Sequence, residues 1–224
     1  MEETASASNG RWQTLASAWE LMAVSFRNPE ELLANAVASG EWDAALHEIS
    51  EVLGLRLANG SGSEMVGHDV DDALRELRAE YARLFVGAPE PAVSPYGSVW
   101  LSRQKGVDAL LFVNPYARAV ERFFNACGLG RSQSSNEPLD HVAIECELLQ
   151  YLASIEAGLV MPPEDAIPAL GFPGGAANSA HAQFLSEHVS PWLPDFLQAL
   201  EKEARISFYG SLASFALSLV NALS

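Results

Sequence analysis

Residues 134–152 read SSNEPLDHVAIECELLQYL, and this stretch combines a helix-start signal with a concentration of polar side chains. Asn136 or Glu137 can cap a helix, and Pro138 then lies at or next to its first position. Asp140 falls in the first turn, where the helix N-terminus favours a carboxylate by ~0.3–1 kcal/mol. An apolar stripe follows at helical spacing, formed by His141, Ile144, Leu148, Tyr151, Leu152 and Ile155. The stretch therefore predicts a capped, amphipathic helix.

The same polar side chains allow a functional interpretation as a small acidic notch. Glu137 and Asp140 would lie at the loop–helix junction, with Glu145 or Glu147 one to two turns further on. Carboxylates near a helix start can accept the forked guanidinium of an arginine in bidentate geometry. His141 could orient Asp140 or respond to pH, although a histidine at the head of an apolar face is more often a satisfied structural residue. Capping and ligand binding both stay open at this point.

Composition narrows the classes of partner. The chain has 224 residues and 24.1 kDa, of which 49% are hydrophobic. That length allows one large domain or two small lobes, with roughly 70% of the unfolded surface buried on folding. Asp and Glu number 29 against 13 Lys and Arg, for a formal charge of −16. Such a balance repels nucleic-acid phosphates and anionic membranes, and it suits either a cationic partner or a need for solubility.

Cysteine usage and the first residues bear on the compartment. Cys127 and Cys146 are the only cysteines and form no CxxC pair, which is typical of a reducing environment. The N-terminal sequence, MEETASASNG, is acidic and lacks an apolar core, so we expect no signal peptide. No Arg-Arg pair occurs in the chain, and we therefore expect no twin-arginine export signal of its own. These features together predict a cytoplasmic protein.

Helical periodicity extends along most of the chain. One apolar face consists of Trp12, Leu15, Ala16, Trp19, Met22, Ala23 and Phe26, and a second consists of Val70, Leu74, Leu77, Tyr81, Leu84 and Phe85. Asn114 and Pro115 form a further start signal, with Gly128 behind as a stop. No alternation of period two is long enough to predict a strand. The pattern therefore predicts an all-α fold.

The last 19 residues, 206–224, carry no charge and approach the length of a membrane span. A polar stripe nevertheless runs down one side, formed by Ser207, Ser211, Ser214, Ser218 and Asn221. Beside it lies an apolar stripe of Phe208, Leu212, Phe215, Leu219 and Ala222. We therefore expect a packed core helix here and no stable membrane insertion.

Catalytic and metal-binding patterns are weak throughout. No HExxH, GxSxG, GxGxxG or Walker-type motif occurs, and no Cys/His cluster has ligand spacing. The glycine-rich run GFPGG at 171–175 lacks a basic residue and is interpreted as a turn. We therefore expect no metal, no cofactor and no catalytic residue.

A second informative stretch is EYARLFVGAPEPAVSPYGSVW at residues 80–100. Tyr81 and Phe85 end a helix, a loop rich in Pro and Gly turns, and Tyr96 and Trp100 follow. Aromatic side chains around a proline loop can line an apolar groove for a peptide. They can equally hold the loop against the core, and the residues alone do not decide between the two.

Together these stretches resemble the TorD/DmsD family of redox-enzyme maturation chaperones, which is related to the NarJ group. The family signature Glu-Pro-x-Asp-His is present in full at residues 137–141. A helix-end signature is similar to Tyr81, Leu84, Phe85, Gly87, Pro89, Pro95, Ser98 and Trp100. A late His…Trp-x-x-x-Phe and Phe-Tyr region is similar to His188, Trp192, Phe196, Phe208 and Tyr209. The resemblance covers roughly residues 70–224, with Gly87-Ala88-Pro89 where members often have Gly-Pro directly.

The resemblance implies a chaperone rather than an enzyme. Such proteins bind the twin-arginine leader of a molybdenum-containing oxidoreductase subunit, often with its folded body, and delay export until the cofactor is inserted. The Asp-His pair of the signature is tied to leader binding, which corresponds here to Asp140 and His141. The residues expected at the peptide site are Asp140, His141, Glu137, Pro138, Tyr81, Phe85, Tyr96 and Trp100.

The expected architecture is a TorD-like single bundle of about ten helices in two lobes. The N-terminal lobe would cover about 1–133, the hinge about 131–141 and the C-terminal lobe about 138–224; either a monomer or a domain-swapped dimer is compatible with such a hinge. Alternatives are an assembly chaperone of a non-exported molybdoenzyme, as in the NarJ group, a helical scaffold, and a small hydrolase or nucleotide-binding protein using Asp140 and His141 as acid and base.

Overall fold

The computed structural model describes residues 2–58, 60–106, 114–129, 137–161 and 171–223. They form ten α-helices, α1 to α10, which in chain order span Glu2–Ser25, Glu31–Ser39, Glu41–Leu53, Val70–Tyr81, Gly97–Gln104, Pro115–Ala126, Val142–Glu156, Ala177–Phe184, Leu193–Glu203 and Ser207–Leu223. Short π-helical turns extend α4 over Ala82–Val86 and α8 over Leu185–Val189, and a 3-10 turn covers Pro173–Gly175. The predicted all-α fold of about ten helices is confirmed.

Among the described residues the only β-type pairing is one isolated antiparallel bridge between Tyr96 and His141. Helix α6 begins as its sequence indicates, because the Asn114 side chain accepts a hydrogen bond from the Tyr116 N–H at 2.9 Å and Pro115 occupies the first position. Within the described part of the chain, no helix combines the length and apolar composition needed to cross a bilayer.

The chain divides into two compact units. The first contains Met1–Glu20 and Tyr96–Leu193, and the second contains Leu21–Pro95 and Pro194–Ser224. These boundaries differ from the lobes expected from the sequence, since each unit takes segments from both halves of the chain. Residues 131–136 of the expected hinge lie outside the described residues, and the hinge stays a prediction.

The second unit is built around aromatic rings. Phe85 lies at centroid distances of 5.1–6.4 Å from the rings of Tyr81, Tyr209, Phe196 and Phe26. Trp42 packs on Phe208 at 4.6 Å, and its indole N–H donates to the Ser25 hydroxyl at 2.9 Å. Such ring pairs add ~0.5–1.5 kcal/mol beyond the area they bury. The end of α4 is therefore anchored by apolar packing.

A largely buried ion pair between Glu80 and Arg83 lies at the end of α4. The Glu80 carboxylate accepts two hydrogen bonds from the Arg83 guanidinium, at 2.8 and 2.7 Å, and a third from the Arg205 N–H at 2.7 Å. Burial raises the pKa of Glu80, but the hydrogen bonds from Arg83 and Arg205 outweigh it and hold that pKa below its usual 4.5. Glu80 therefore joins the end of α4 to the segment before α10.

The serine stripe of α10 binds the loop that follows α3. Ser211 donates to the Gly62 carbonyl at 2.9 Å and accepts from the Gly62 N–H at 2.8 Å. Ser218 donates to the Arg56 carbonyl at 2.7 Å, and Ser207 exchanges hydrogen bonds with Glu64. The adjacent apolar stripe is buried at Phe208, Leu212, Phe215 and Leu219. The expected packed core helix is confirmed over Ser207–Leu223.

The first unit has a more polar interior. Helix α7 packs against α8, and α5 packs against α6. The Trp19 indole N–H donates to Nε2 of the buried His181 at 2.9 Å, and the Trp12 ring meets the His181 ring edge-on at 5.3 Å. Burial lowers the pKa of His181 to about 4. His181 is therefore a neutral acceptor inside this unit at physiological pH.

Candidate functional site

The turn before α7 contains the Glu-Pro-x-Asp-His signature. Helix α7 begins at Val142, with His141 as its N-cap: the imidazole Nδ1 accepts a hydrogen bond from the Ala143 N–H at 3.2 Å. The predicted start at Pro138, with Glu137 as cap, is four residues too early, and Asn136 lies outside the described residues. The His141 N–H donates to the Pro138 carbonyl at 3.1 Å and forms a turn, which explains the late start.

Asp140 caps a different helix from the one that follows it. Its carbonyl accepts from the Gly97 N–H at 3.0 Å, and its Oδ2 accepts from the Ser98 N–H at 3.1 Å. These two donors are free backbone groups of the first turn of α5, which a carboxylate satisfies well. Asp140 is 2% exposed and His141 is 5% exposed. Both side chains therefore lie in the interior, and the hydrogen bonds of Asp140 hold the start of α5.

The exposed part of this region is an edge formed by Tyr96, Glu137, Pro138 and Trp100, which we call the α5 edge. The Tyr96 hydroxyl donates to Glu137 Oε1 at 2.7 Å, and the Tyr96 ring meets the His141 ring edge-on at 5.4 Å. Glu137 and Pro138 are exposed, whereas Tyr96 and Trp100 are half-buried. The Arg103 guanidinium lies 5.6 Å from the centre of the Trp100 ring. The edge thus presents aromatic surface beside an accessible carboxylate.

A buried polar cluster formed by Glu145, Tyr116 and Trp192 lies beside the α5 start. The Tyr116 hydroxyl oxygen is 2.7 Å from Glu145 Oε1, and the Trp192 indole N–H donates to Glu145 Oε2 at 3.2 Å. Burial raises the pKa of Glu145 well above its usual value. Burial also raises the pKa of Tyr116. Glu145 is 2% exposed, so it contributes no accessible charge to an acidic notch.

Gly97 is where this cluster meets the start of α5. A Cβ atom at Gly97 would lie 2.8 Å from atoms of both the Trp192 and Tyr116 rings. Real side chains do not tolerate such a distance. Glycine is therefore required at this position by close approach and not by an unusual backbone conformation.

Two of the expected peptide-site residues belong to the second unit. Phe85 is 5% exposed within its aromatic cluster, and Tyr81 beside it is half-buried. The other six, Asp140, His141, Glu137, Pro138, Tyr96 and Trp100, belong to the first unit. Five of those six are joined by the contacts just described, and Trp100 lies on the first turn of α5, four residues after Tyr96.

The surroundings of the cysteines and acids in the described segments decide whether they could form a reaction centre. Burial raises the pKa of the Cys127 thiol to about 12 and also raises that of Cys146, which disfavours thiolate at neutral pH. Within the described ranges, no three Asp, Glu, His or Cys residues form a group that could hold a metal ion. Asp140 and His141 each use a side-chain atom as a helix cap and are 2% and 5% exposed, so neither is placed as an accessible general acid or base.

Sequence reasoning did not identify the Glu145–Tyr116–Trp192 cluster. The signal was available: Glu145 lies four residues after His141 and three before Leu148, on the same apolar stripe of α7. A carboxylate at an apolar position needs buried hydrogen-bond donors. Tyr116 and Trp192 supply hydrogen-bond partners from segments that are distant in the sequence.

The chain matches known proteins over most of its length. Residues 35–198 match the family described as "Nitrate reductase delta subunit". A protein of Vibrio cholerae named "Chaperone protein TorD" is 30% identical over 152 residues, covering 68% of this chain and 62% of that protein. Proteins of the same name are 31% identical over 150 residues in Escherichia coli and 27% over 162 residues in Shewanella piezotolerans, covering 63% and 66% of those proteins.

These alignments span less than two thirds of the relatives' own length. The family match covers well over half of this chain and includes the whole Glu-Pro-x-Asp-His turn, α5, α6 and α7. The resemblance to the TorD/DmsD chaperones that the motifs indicated is therefore confirmed, and the chain belongs to the nitrate reductase delta subunit family, which includes the TorD and NarJ groups.

Proposed function

We propose that this protein is a cytoplasmic chaperone that binds the twin-arginine leader and the cofactor-free form of a molybdenum-cofactor oxidoreductase subunit, assists cofactor insertion and delays export. The observation that carries the proposal is the α5 edge: Asp140 caps the start of α5, and Tyr96, which directly precedes that helix, contacts His141 and donates to the exposed Glu137. Family membership supplies the chaperone class.

The chemistry of the α5 edge suits a cationic, partly apolar peptide. Glu137 offers a carboxylate to a guanidinium, and a half-buried Trp100 ring can accept a cation over its face. The formal charge of −16 attracts a leader that carries two arginines and raises its rate of encounter at low salt. We therefore assign Glu137 and Trp100 to direct contact, and Asp140 and His141 to positioning. In the second unit, the half-buried Tyr81 is proposed separately as a contact for apolar leader residues, with the buried Phe85 supporting its ring.

Isothermal calorimetry with a synthetic leader tests the proposal. The probe is a peptide with two adjacent arginines followed by an apolar segment, and its control replaces both arginines by alanine. We expect the arginine peptide to bind more tightly, and Glu137→Gln and Trp100→Ala to weaken it. Glu20→Gln removes another exposed carboxylate of the first unit and should leave the affinity unchanged.

The double variant Asp140→Asn with His141→Ala tests the positioning role. We expect weaker leader binding because the first turn of α5 loses its cap, and circular dichroism must first show that the variant is folded. Unchanged affinity in a folded double variant, together with unchanged affinity of Glu137→Gln, would show that the α5 edge is not the leader site.

The family description favours a second candidate function. The description "Nitrate reductase delta subunit" names a non-TorD member of the family, and we propose as the alternative an assembly chaperone of a non-exported molybdoenzyme, with the enzyme body as its main binding partner. Co-purification distinguishes the two: deletion of the leader should reduce recovery of the client under the first proposal and leave it unchanged under the second.

A further inference from the structure

The polar cluster around Glu145 contains more short oxygen–oxygen contacts than one hydroxyl proton can satisfy. The Tyr116 hydroxyl oxygen lies 2.7 Å from Glu145 Oε1 and also 2.7 Å from the His188 carbonyl oxygen. A tyrosine hydroxyl has one proton, and a backbone carbonyl has none to donate. Both contacts have the ordinary length of an O–H···O hydrogen bond. A second proton is therefore required. Of the three groups in contact, the Glu145 carboxyl is the one that can carry it.

We propose that Glu145 is a neutral, protonated carboxylic acid in the folded protein at neutral pH, which donates its proton to the Tyr116 hydroxyl while Tyr116 donates to the His188 carbonyl. The second carboxyl oxygen, Oε2, then accepts from the Trp192 indole N–H at 3.2 Å. Every polar atom of the cluster has a partner in this arrangement. With an ionised Glu145, one 2.7 Å contact would join two oxygens without a proton between them.

The surroundings of Glu145 favour the neutral form. Its side chain is 2% exposed, and no Lys, Arg or His of the described residues forms an ion pair with it. The titratable groups that face it are Tyr116 from α6, Asp140 from the turn before α7 and Cys146 beside it on α7. Asp140 disfavours a second negative charge nearby.

His188 contributes no positive charge to offset ionisation of Glu145. Its ring lies 5.9 Å from the Tyr116 ring, and burial lowers the pKa of its imidazole. Burial in turn raises the pKa of Glu145, in agreement with the proton count. The charge balance and the hydrogen-bond geometry thus lead to the same protonation state.

The proton has a structural task at the start of α5. Glu145 holds the Tyr116 and Trp192 side chains against which Gly97 packs without room for a Cβ atom. Gly97 lies directly after Tyr96 and its N–H binds the Asp140 carbonyl. Glu145 is therefore a positioning residue for the α5 edge; this last link rests on the proposed leader binding.

The sign of the pH dependence follows from a folded-state pKa raised above the unfolded one. The stability contributed by the neutral Glu145 is fully present below its unfolded pKa of about 4.5 and is lost as pH rises through the folded pKa. For one proton, the unfolding equilibrium constant rises by up to tenfold per pH unit in the range between the two values.

Infrared spectroscopy and denaturant unfolding test the proposal in the intact chain. At pH 7 the wild-type protein should show the carbonyl stretch of one protonated carboxylic acid, and Glu145→Gln should lack it. Glu147→Gln, which changes a half-buried carboxylate of the same helix, should retain it. Absence of the band in the wild-type protein at pH 7 overturns the proposal, whether or not any variant folds.

Glu145→Gln also provides a stability test, because the amide can donate to Tyr116 and accept from Trp192. The free energy of unfolding of this variant should be close to that of the wild type at pH 5. As pH rises, the variant should become more stable than the wild type. Glu145→Ala should be destabilised throughout. A Glu145→Gln deficit that is constant from pH 5 to 9 indicates an ionised Glu145 and contradicts the proposal.

Leader affinity separates this inference from the proposed function. We expect wild-type affinity for the two-arginine peptide to fall as pH rises, and that of Glu145→Gln to stay flat over the same range. If no variant binds the peptide while the infrared band and stability profile are as expected, leader binding is wrong and the protonation of Glu145 stands. Binding without the band gives the opposite conclusion.

Discussion

The turn before α7 and the end of α4 each carry a family motif, and different interactions hold the two in place. At the turn, Asp140 accepts a hydrogen bond from the Ser98 N–H, and Glu145 in the first turn of α7 is hydrogen-bonded to Tyr116 and Trp192. At the end of α4, Phe85 is surrounded by four aromatic rings. A hydrogen-bonded motif depends on protons and geometry, whereas a ring cluster depends on volume. The two regions should therefore respond differently to pH and to side-chain truncation.

The largest effect is expected from Phe85→Ala, which should cost about 3–5 kcal/mol of the free energy of unfolding because the cavity it leaves is lined by rigid rings. Urea denaturation measures the loss, which should not vary between pH 6 and 8. Val86→Ala truncates the next residue, which is 65% exposed, and should cost little. Equal losses for the two variants would contradict the packing described for α4.

Asp140→Ala should have the next largest effect, about 1–3 kcal/mol, because the Ser98 N–H loses its acceptor in a buried position. Hydrogen exchange of the Gly97 and Ser98 amides should accelerate together. Glu137→Ala removes the exposed neighbour and should leave both exchange rates unchanged. Slow exchange at Ser98 in a folded Asp140→Ala protein would show that the cap does not hold α5.

Glu80→Gln should cost about 0.5–1.5 kcal/mol at neutral pH, because its hydrogen bonds to Arg83 lose their charge assistance. The folded pKa of Glu80 is depressed, so its contribution is present above the unfolded value of about 4.5 and is lost as pH falls through the folded pKa. The difference between wild type and variant should thus shrink on acidification. Its pH dependence is opposite in sign to that of Glu145, and a difference that grows towards low pH would contradict this assignment.

Arg103→Ala should have the smallest effect. It removes a cation from the Trp100 face, a contact of about 0.5–1 kcal/mol at an exposed site. If the two-arginine peptide binds the α5 edge, the freed ring should raise its affinity about two- to fivefold. Calorimetry measures the change. The control is Lys105→Ala, which removes an exposed positive charge near Arg103 in the sequence. Equal gains in peptide affinity for both variants would indicate that the lost positive charge matters, and not competition between Arg103 and the peptide for the Trp100 ring.

The fold was predictable because it depends on patterns that are local in sequence. Apolar residues at helical spacing indicated α4, α7 and α10, and Asn114-Pro115 indicated the start of α6. The start of α7 was not predictable, because Pro138 is an acceptable first position of a helix. Asp140 instead precedes the helix and binds Gly97 and Ser98, which are distant in the sequence. The Glu145 cluster joins α6, α7 and the segment before α9, and no local pattern specifies such a meeting of side chains.

The crowding at Gly97 also restricts how this family member can change over evolution. A single step from glycine to alanine meets two rings at once, those of Trp192 and Tyr116, so one compensating substitution cannot relieve it. Shrinking either ring would in turn remove a partner of Glu145. Position 97 is thus tied to three distant positions, and a lineage could leave glycine only through several simultaneous replacements. Saturation mutagenesis should find this helix-start position as intolerant as the centre of the core.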